Sequence, residues 1–274
     1  MVIVARFASS ILAFILAHFY NRSPMHYKAL LLDLDGTTIP NNRTGVPSQR
    51  VIAAIAKASK KIAVGVATGR PLFAAQHILS VLSLSSPCVV NGGAQLYDPR
   101  TDLVLWEQNL EANAIKELYT ICVSLGVVFL LNDGKQNYTM ETPTPSFKVL
   151  SGTIPDLDPQ IADQLLKMTS HIPTITLHKV PSWNKGHIDV TINHVNATKL
   201  HGVHEIARRL KIEPTEIIGV GDSYNDFPLL MACGLKVAMG NAIPDLKAIA
   251  DYIAPSVEED GVADVIEKFI LNEP

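Results

Sequence analysis

Two carboxylates follow an apolar run near the start of the chain, in the segment Leu30-Leu31-Leu32-Asp33-Leu34-Asp35-Gly36-Thr37. Residues that directly follow a buried strand lie at the edge of an α/β sheet where ligands bind. With this spacing, one carboxylate can attack phosphorus while the other gives a proton to the leaving oxygen and later takes one from water. The alternative is that Asp-x-Asp-Gly is only a turn after a strand.

A second apolar run ends in acids far downstream, in the segment Ile217-Ile218-Gly219-Val220-Gly221-Asp222-Ser223-Tyr224-Asn225-Asp226. Mg²⁺ prefers oxygen ligands and usually takes only one or two protein carboxylates, a number that Asp33 and Asp222 supply. We therefore expect a magnesium site between the two strand ends. Asn225 and Asp226 begin a predicted helix, Asp226–Ala232, and capping of that helix is the alternative role for either residue.

Two further segments could bind a phosphate. Thr68 and Gly69 end a third apolar run and precede Pro71, so the Thr68 hydroxyl and nearby N–H groups of a helix N-terminus can donate to phosphate oxygens. Lys199 is our candidate for the fixed positive charge that a transferring phosphoryl group requires. A common strand-to-helix turn and a solvated surface lysine are the respective alternatives.

These side chains meet only if their strands lie in one sheet. From Met25 onward, short apolar runs alternate with amphipathic segments of helix length, a pattern typical of parallel sheets with helices on both faces. We predict a doubly wound, mostly parallel, Rossmann-like α/β core. Its strands, nearly continuous in apolar residues, are Ala29–Leu34, Ile62–Ala67, Cys88–Val90, Ile217–Val220 and Leu235–Ala238. Its helices begin at Pro47-Ser48, Pro71 and Ala197.

The middle of the chain indicates an inserted α+β domain at residues 94–187, which divides the core into residues 25–93 and 188–274. Within the insert we predict a hairpin, a helix at Ala112–Leu125 and two short strands. The stretch Thr142–Pro159 is rich in Pro, Ser and Thr and is interpreted as a connecting loop.

Residues 1–24 form an apolar extension before the core. The run Phe7–Tyr20 behind Arg6 has the outline of a signal, but it is shorter than the roughly 20 residues that cross a bilayer. An unused extension and a short signal or anchor are both left open. Membrane association through residues 1–24 is the less favoured interpretation.

Composition narrows the partners and the compartment. A formal net charge of −3 leaves no basic excess for a nucleic-acid backbone, so nucleic acid is not an expected partner. The three cysteines are far apart and form no CxxC pair, which favours reduced thiols over a disulfide framework or a zinc site. We therefore expect a cytoplasmic protein; the oligomeric state is not indicated.

Taken in chain order, the segments around Asp33, Thr68, Lys199 and Asp222 resemble the four motifs of the haloacid dehalogenase-like superfamily. They are most similar to its Cof-type phosphatases, which carry a large αβ cap after the Thr-Gly-Arg motif. Further agreement lies in Asn91-Gly92-Gly93, Met239-Gly240-Asn241-Ala242 and Glu258-Glu259-Asp260-Gly261-Val262. The resemblance covers about residues 28–271. One departure is that Leu200 follows Lys199, where the family usually has glycine; here the glycine is Gly202.

The resemblance implies a magnesium-dependent phosphatase of small phosphorylated metabolites such as sugar phosphates. It implies that Asp33 is the nucleophile, which becomes an aspartyl-phosphate, and that Asp35 is the acid/base. Asp35 would then have to carry a proton when substrate arrives, which a less solvated position under a closed cap would promote. Thr68, with Gly69, and Lys199 would bind the phosphate.

The same resemblance implies a magnesium ligand set of Asp33, the main-chain carbonyl of Asp35, and Asp222. Asn225 and Asp226 would orient the metal ligands and the lysine through hydrogen bonds. Two residues that are expected on the substrate side are Asn91 and Gly92.

Two other functions stay open. A phosphomutase or phosphotransferase would form the same aspartyl-phosphate but pass it to a sugar hydroxyl instead of water. A non-catalytic sugar-phosphate-binding module would have the same fold, because function resides in the site and not in the fold. The joint presence of Asp33, Asp35, Lys199 and Asp222 disfavours the binding module.

Overall fold

A computed structural model describes residues 27–41, 45–182 and 184–272 of the chain. The extension expected at residues 1–24 lies outside these described residues. Within them, no helix is both long enough and apolar enough to span a bilayer.

The elements of the described residues are numbered in chain order. The strands are β1 (Ala29–Leu32), β2 (Ala63–Val66), β3 (Cys88–Val90), β4 (Gln95–Asp98), β5 (Leu103–Glu107), β6 (Leu130–Asn132), β7 (Asn137–Thr139), β8 (Ser151–Leu157), β9 (Ile175–Pro181), β10 (Ile188–His194), β11 (Ile217–Gly221), β12 (Leu235–Ala238) and β13 (Tyr252–Ile253). The α-helices are α1 (Gln49–Ala58), α2 (Leu72–Leu79), α3 (Ala112–Leu125), α4 (Pro159–Thr169), α5 (Lys199–Leu210), α6 (Phe227–Ala232), α7 (Pro244–Ile249) and α8 (Gly261–Ile266). Short 3-10 turns occur at Asn91–Gly93, Pro214–Glu216, Tyr224–Asp226 and Val257–Glu259, and a π turn at Glu267–Leu271.

The main sheet is parallel, which confirms the predicted α/β fold. Its strand order is β13-β12-β11-β1-β2. All residues of β1 and β11 are buried, as expected for apolar strands covered on both faces. From β1 the chain continues to β2 on one side, whereas from β11 it continues to β12 on the other. The order therefore reverses between β1 and β11, and a crevice opens at the carboxyl ends of these two strands.

The sequence positions the core helices as predicted. The Ser48 hydroxyl accepts the Val51 N–H at 3.1 Å and so caps the start of α1. Helix α5 begins at Lys199 and buries Gly202 against β3, because a Cβ on Gly202 would lie 2.4 Å from a methyl of Val89. The glycine that departs from the family position therefore lets α5 approach β3 closely.

The second sheet is antiparallel, with the order β7-β6-β8-β10-β9. Helices α3 and α4 contribute to an apolar cluster with one face of it. The prediction of a connecting loop at Thr142–Pro159 is wrong, because Ser151–Leu157 forms the central strand β8. The strand is not evident in the sequence because it contains Pro155, which is uncommon inside a strand. At this point the pairing register between β8 and β10 shifts, as at a β-bulge, and Asp156 has a φ of +60°.

The boundaries of the insert also differ from the expected 94 and 187. The hairpin β4–β5 pairs with β3 in a separate antiparallel sheet and packs against the main core. Strand β3 lies beside the main sheet, with a parallel bridge from Ala67 to Val89, but it is not one of the five strands of that sheet. Strand β10 belongs to the second sheet, so that sheet extends to His194. The apolar character of β3 and β10 does not reveal which sheet each strand joins.

Candidate active site

The two acidic strand ends meet at the switch point of the main sheet. Leu32 of β1 pairs with Val220 of β11, so Asp33 and Asp222 emerge side by side. The loop after β1 then folds over Asp222, whose Oδ1 accepts the Thr37 hydroxyl at 3.2 Å. Gly36 permits this approach: its φ is +79°, and a Cβ there would lie 2.3 Å from Oδ2 of Asp222.

Lys199 is buried between two carboxylates. Its Nζ donates to Oδ1 of Asp33 at 2.6 Å and to Oδ1 of Asp226 at 2.5 Å. The other oxygen of Asp226 accepts the N–H groups of Asp222 and Ser223 at 3.0 Å each. Asp226 therefore organises the turn that precedes α6 and holds the lysine in place, but its side chain makes no capping bond to α6 itself. Lys199 is not a surface residue, because only 2% of it is exposed.

Asp33, Asp222, Asp226 and Lys199 form what we call the carboxylate cluster. Oxygens of its three acids lie within 4.8 Å of one another. Burial, and then the charge of Asp226, raise the pKa of Asp33 well above its ordinary value and that of Asp222 to about 7. Burial alone would lower the pKa of Lys199, but Asp226 and Asp33 outweigh it and raise that pKa.

The donor set of the cluster fits a divalent cation. Three buried carboxylates face the single charge of Lys199, which leaves an excess of negative charge. Because both oxygens of Asp226 are already bound, Asp33 and Asp222 are the acids left to ligate a metal. Hard carboxylate oxygens are the ligands that Mg²⁺ prefers.

Asp35 is held in an ion pair that sequence reasoning missed. Its two oxygens accept Nε and a terminal NH₂ of Arg70 at 2.8 and 2.5 Å, and this bond raises the pKa of Arg70. The Asp35 side chain is 27% exposed, so the expected desolvated position is not present in this structure. The signal was available, since Arg70 follows Thr68 and Gly69 at a neighbouring strand end.

The predicted phosphate-binding segment lies beside the cluster. Thr68 is buried, and its hydroxyl oxygen accepts the N–H of Arg70 at 3.0 Å, which leaves the hydroxyl hydrogen free to donate elsewhere. Gly69 and Asn225 line the same cavity as Asp33, Asp35 and Asp222. A Cβ on Gly69 would lie 3.7 Å from the Asn225 amide nitrogen.

Asn91 and Gly92, expected on the substrate side, lie at the junction between the core and the insert. Asn91 donates to Oδ1 of Asn132 at 2.8 Å and accepts the Ser151 hydroxyl at 2.7 Å. Its carbonyl accepts the Asn193 amide at 2.8 Å. We call Asn91, Asn132, Ser151 and Asn193 the junction network. Gly92 packs against it, because a Cβ there would lie 2.6 Å from Oδ1 of Asn193.

The insert covers the cavity with residues that sequence reasoning did not identify. The cavity has a volume of about 240 Å³. Its lining from β9 and β10 comprises Val180, Pro181, Asp189 and Thr191. The available signal was the alternation of polar and apolar residues along β10, but only the fold shows which face is turned to the site.

Comparisons with known proteins agree with this geometry. A family model described as haloacid dehalogenase-like hydrolase matches residues 30–158 and 144–266. A 5-amino-6-(5-phospho-D-ribitylamino)uracil phosphatase of Bacillus subtilis, YcsE, is 24% identical over 91% of this chain and 98% of its own length. A phosphoglycolate phosphatase of Methanopyrus kandleri is 26% identical over 88% of this chain and 96% of its own length.

A solved structure has the same fold. The subclass IIB sugar phosphatase BT4131 superposes with a TM-score of 0.71 at 24% identity, covering 88% of this chain and 98% of that one. Core and insert are therefore both present in the known structure.

Proposed function

This chain belongs to the haloacid dehalogenase-like hydrolases and is a phosphoric monoester hydrolase, and we propose that it is a magnesium-dependent phosphatase of small phosphorylated metabolites. Sugar phosphates are the proposed substrate class, and an aspartyl-phosphate on Asp33 is the proposed intermediate. The sugar phosphatase of similar fold and the relative that acts on a phosphorylated ribityl compound support this class.

The geometry of the carboxylate cluster is the main support for a nucleophilic role of Asp33. Lys199 binds one oxygen of Asp33, while Oδ2 has no hydrogen-bond partner among the described residues. The nucleophile is thus fixed through one oxygen and available through the other. Because Lys199 is itself fixed by Asp226, its charge is already in position when a phosphoryl group arrives.

The first half of the reaction forms the aspartyl-phosphate. Oδ2 of Asp33 attacks phosphorus, and the bond from phosphorus to the leaving oxygen breaks as Asp35 gives that oxygen a proton. Lys199, the Thr68 hydroxyl and the N–H of Gly69 bind the phosphoryl oxygens. Asp35 can act as an acid only after its ion pair with Arg70 opens, so we expect substrate binding to displace Arg70.

The second half releases phosphate. Asp35, now ionised, takes a proton from water, and that water attacks phosphorus and restores the Asp33 carboxylate. The residues that would hold magnesium are Asp33, the main-chain carbonyl of Asp35, and Asp222, with Asn225 beside them. When bound there, the ion supplies positive charge to the phosphoryl oxygens.

Hydrolysis of p-nitrophenyl phosphate and a panel of sugar phosphates, with magnesium and with EDTA, tests the proposal. We expect magnesium-dependent release of inorganic phosphate that falls at least about 10³-fold in Asp33→Asn, because the nucleophile is lost. Asp163→Asn, on the exposed surface of the insert, is the matched control and should keep full activity. Transfer of phosphate to a sugar hydroxyl instead of water would indicate a mutase, and no turnover by folded, magnesium-loaded protein would reject an enzyme.

A further inference from the structure

The insert supplies one further acid, Asp189, which lines the catalytic cavity and which the reaction does not use. We propose that Asp189 and Thr191 select a neutral, polyhydroxylated leaving group, and that Asp189 excludes leaving groups that carry a negative charge. This inference rests on the proposed phosphatase function and adds the residues that determine its specificity.

Strand β10 turns its polar face to the cavity. Val190 and Ile192 are fully buried in the apolar cluster of the insert. Asp189 and Thr191 alternate with them and so project from the opposite face of the strand, where both line the cavity. Val180, which pairs directly with Asp189, lines it too. The roof of the cavity therefore combines one apolar wall with two oxygen-bearing side chains.

Asp189 is oriented for recognition. Its Oδ1 accepts the N–H of Asp156 at 2.8 Å, which fixes the carboxylate, while Oδ2 has no hydrogen-bond partner in the described parts of the chain. An ionised carboxylate only accepts hydrogen bonds, so it suits a hydroxyl of the leaving group. The Thr191 hydroxyl is only loosely engaged, at 3.4 Å from the carbonyl of His178, and can donate to or accept from a second hydroxyl.

The charges around the cavity disfavour an anionic leaving group. The floor already carries Asp33, Asp35 and Asp222, and Asp189 adds a carboxylate to the roof. The Arg70 guanidinium, which also lines the cavity, is bound by Asp35. Four acids thus face Arg70, the one cation among the described lining residues, so a carboxylate on the leaving group meets an excess of negative charge even when Arg70 separates from Asp35.

The cavity is also small. Its volume of about 240 Å³ is below the roughly 300–1,000 Å³ typical of sites for drug-sized ligands. A short polyol or a monosaccharide suits this space better than a nucleotide or a large conjugate.

The test compares kcat/KM for sorbitol 6-phosphate, glucose 6-phosphate, phosphoglycolate and p-nitrophenyl phosphate. For Asp189→Asn we expect about a tenfold loss with the two polyol phosphates and about a tenfold gain with phosphoglycolate, because the charge that accepts one and repels the other is removed. Activity of each variant on p-nitrophenyl phosphate is the reference to which the other rates are normalised. Thr191→Val should lose about threefold or more on the polyol phosphates relative to this reference.

Matched controls lie on neighbouring positions. Thr153→Val makes the same change on β8, opposite Thr191 but outside the lining of the cavity, and Asp158→Asn removes a charge from an exposed position. Neither control should alter the substrate ratios. The inference would be overturned if the wild type hydrolysed p-nitrophenyl phosphate but preferred phosphoglycolate, or if the substrate ratios were unchanged in both cavity variants. Either result would leave the proposed phosphatase function in place. Loss of all hydrolysis in wild type would instead reject the phosphatase.

Discussion

The carboxylate cluster and the junction network are both buried and polar, but they differ in charge. The cluster holds three acids and one lysine, whereas the junction network contains only amides and a hydroxyl. In the junction network, each polar side chain has a partner of suitable distance. In the cluster, negative charge exceeds positive charge, and Asp33 and Asp222 line a cavity.

This difference separates a site of chemistry from a structural contact. Buried charges cost more desolvation energy than they return unless they are fully paired, so an unbalanced cluster is a poor way to stabilise a fold. A neutral and satisfied network costs little and fixes one arrangement of the groups that it joins. We therefore propose that the cluster serves the reaction and that the junction network positions the insert over it.

The largest expected effect comes from removing the lysine of the cluster. Lys199→Met leaves the buried carboxylates of Asp33 and Asp226 without their cation. We expect the free energy of unfolding to fall by about 3–5 kcal/mol and kcat to fall by about 10²–10³-fold. Urea unfolding in EDTA and hydrolysis of p-nitrophenyl phosphate with magnesium measure the two effects.

A lysine near the surface provides the control for this change. Lys236→Met removes a partly exposed lysine whose nearest acid, Asp251, is 3.8 Å away, and it should change stability by less than about 1 kcal/mol. If Lys199→Met kept a tenth of the activity or more, the cluster would have no part in the chemistry and the comparison would fail.

The second effect is the pH dependence that the cluster contributes to stability. In EDTA, the folded pKa of Asp222 is raised to about 7, and that of Asp33 is raised in the same direction, by burial and by Asp226. The folded protein then binds protons more tightly than the unfolded chain. The cluster's contribution to the free energy of unfolding should therefore fall as the pH rises from about 4 to 7, by roughly 1–4 kcal/mol. Urea titrations across this range measure the slope.

Two variations identify the source of that slope. Saturating magnesium should flatten it, because the ion favours the charged carboxylates. Asp222→Asn should reduce it in EDTA, whereas Asp245→Asn, at an exposed position, should leave it unchanged. A slope of the opposite sign in EDTA would mean that the cluster has enough positive charge without a metal.

The sequence predicted the cluster better than the insert, for a physical reason. Asp33 and Asp222 each follow a continuous apolar strand, and parallel strands bring their carboxyl ends to one edge without further information. Strand β8 was missed because Pro155 and the bulge interrupt its pattern. The position of Asp189 in the cavity depends on how the insert packs against the core. No local sequence pattern determines that packing.

Asn91 illustrates the same limit. Its position after β3 placed it near the site, and its resemblance to a recurring family segment suggested contact with substrate. The structure gives it φ +58° and directs its amide to Asn132 and Ser151, which are 41 and 60 residues further along the chain. Contacts over that separation form only when the insert is folded, so a local motif does not reveal them.

The smallest expected effect is therefore in the junction network. Asn91→Gly keeps the left-handed backbone but removes the amide, so the Ser151 hydroxyl loses its acceptor and Oδ1 of Asn132 keeps only the N–H of Gly134. We expect the free energy of unfolding to fall by about 1–3 kcal/mol, with no change in its dependence on magnesium or pH. Urea unfolding with magnesium and with EDTA measures both quantities.

Asn272→Gly provides a matched control, because Asn272 is also left-handed, at φ +54°, but is exposed at the end of the described chain. The same substitution there should cost almost nothing, so the difference between the variants isolates the buried amide from the backbone effect. A loss in Asn91→Gly that disappeared with magnesium would couple the junction network to the metal site. The two regions would then act as one unit, and the separation between chemistry and positioning would not hold.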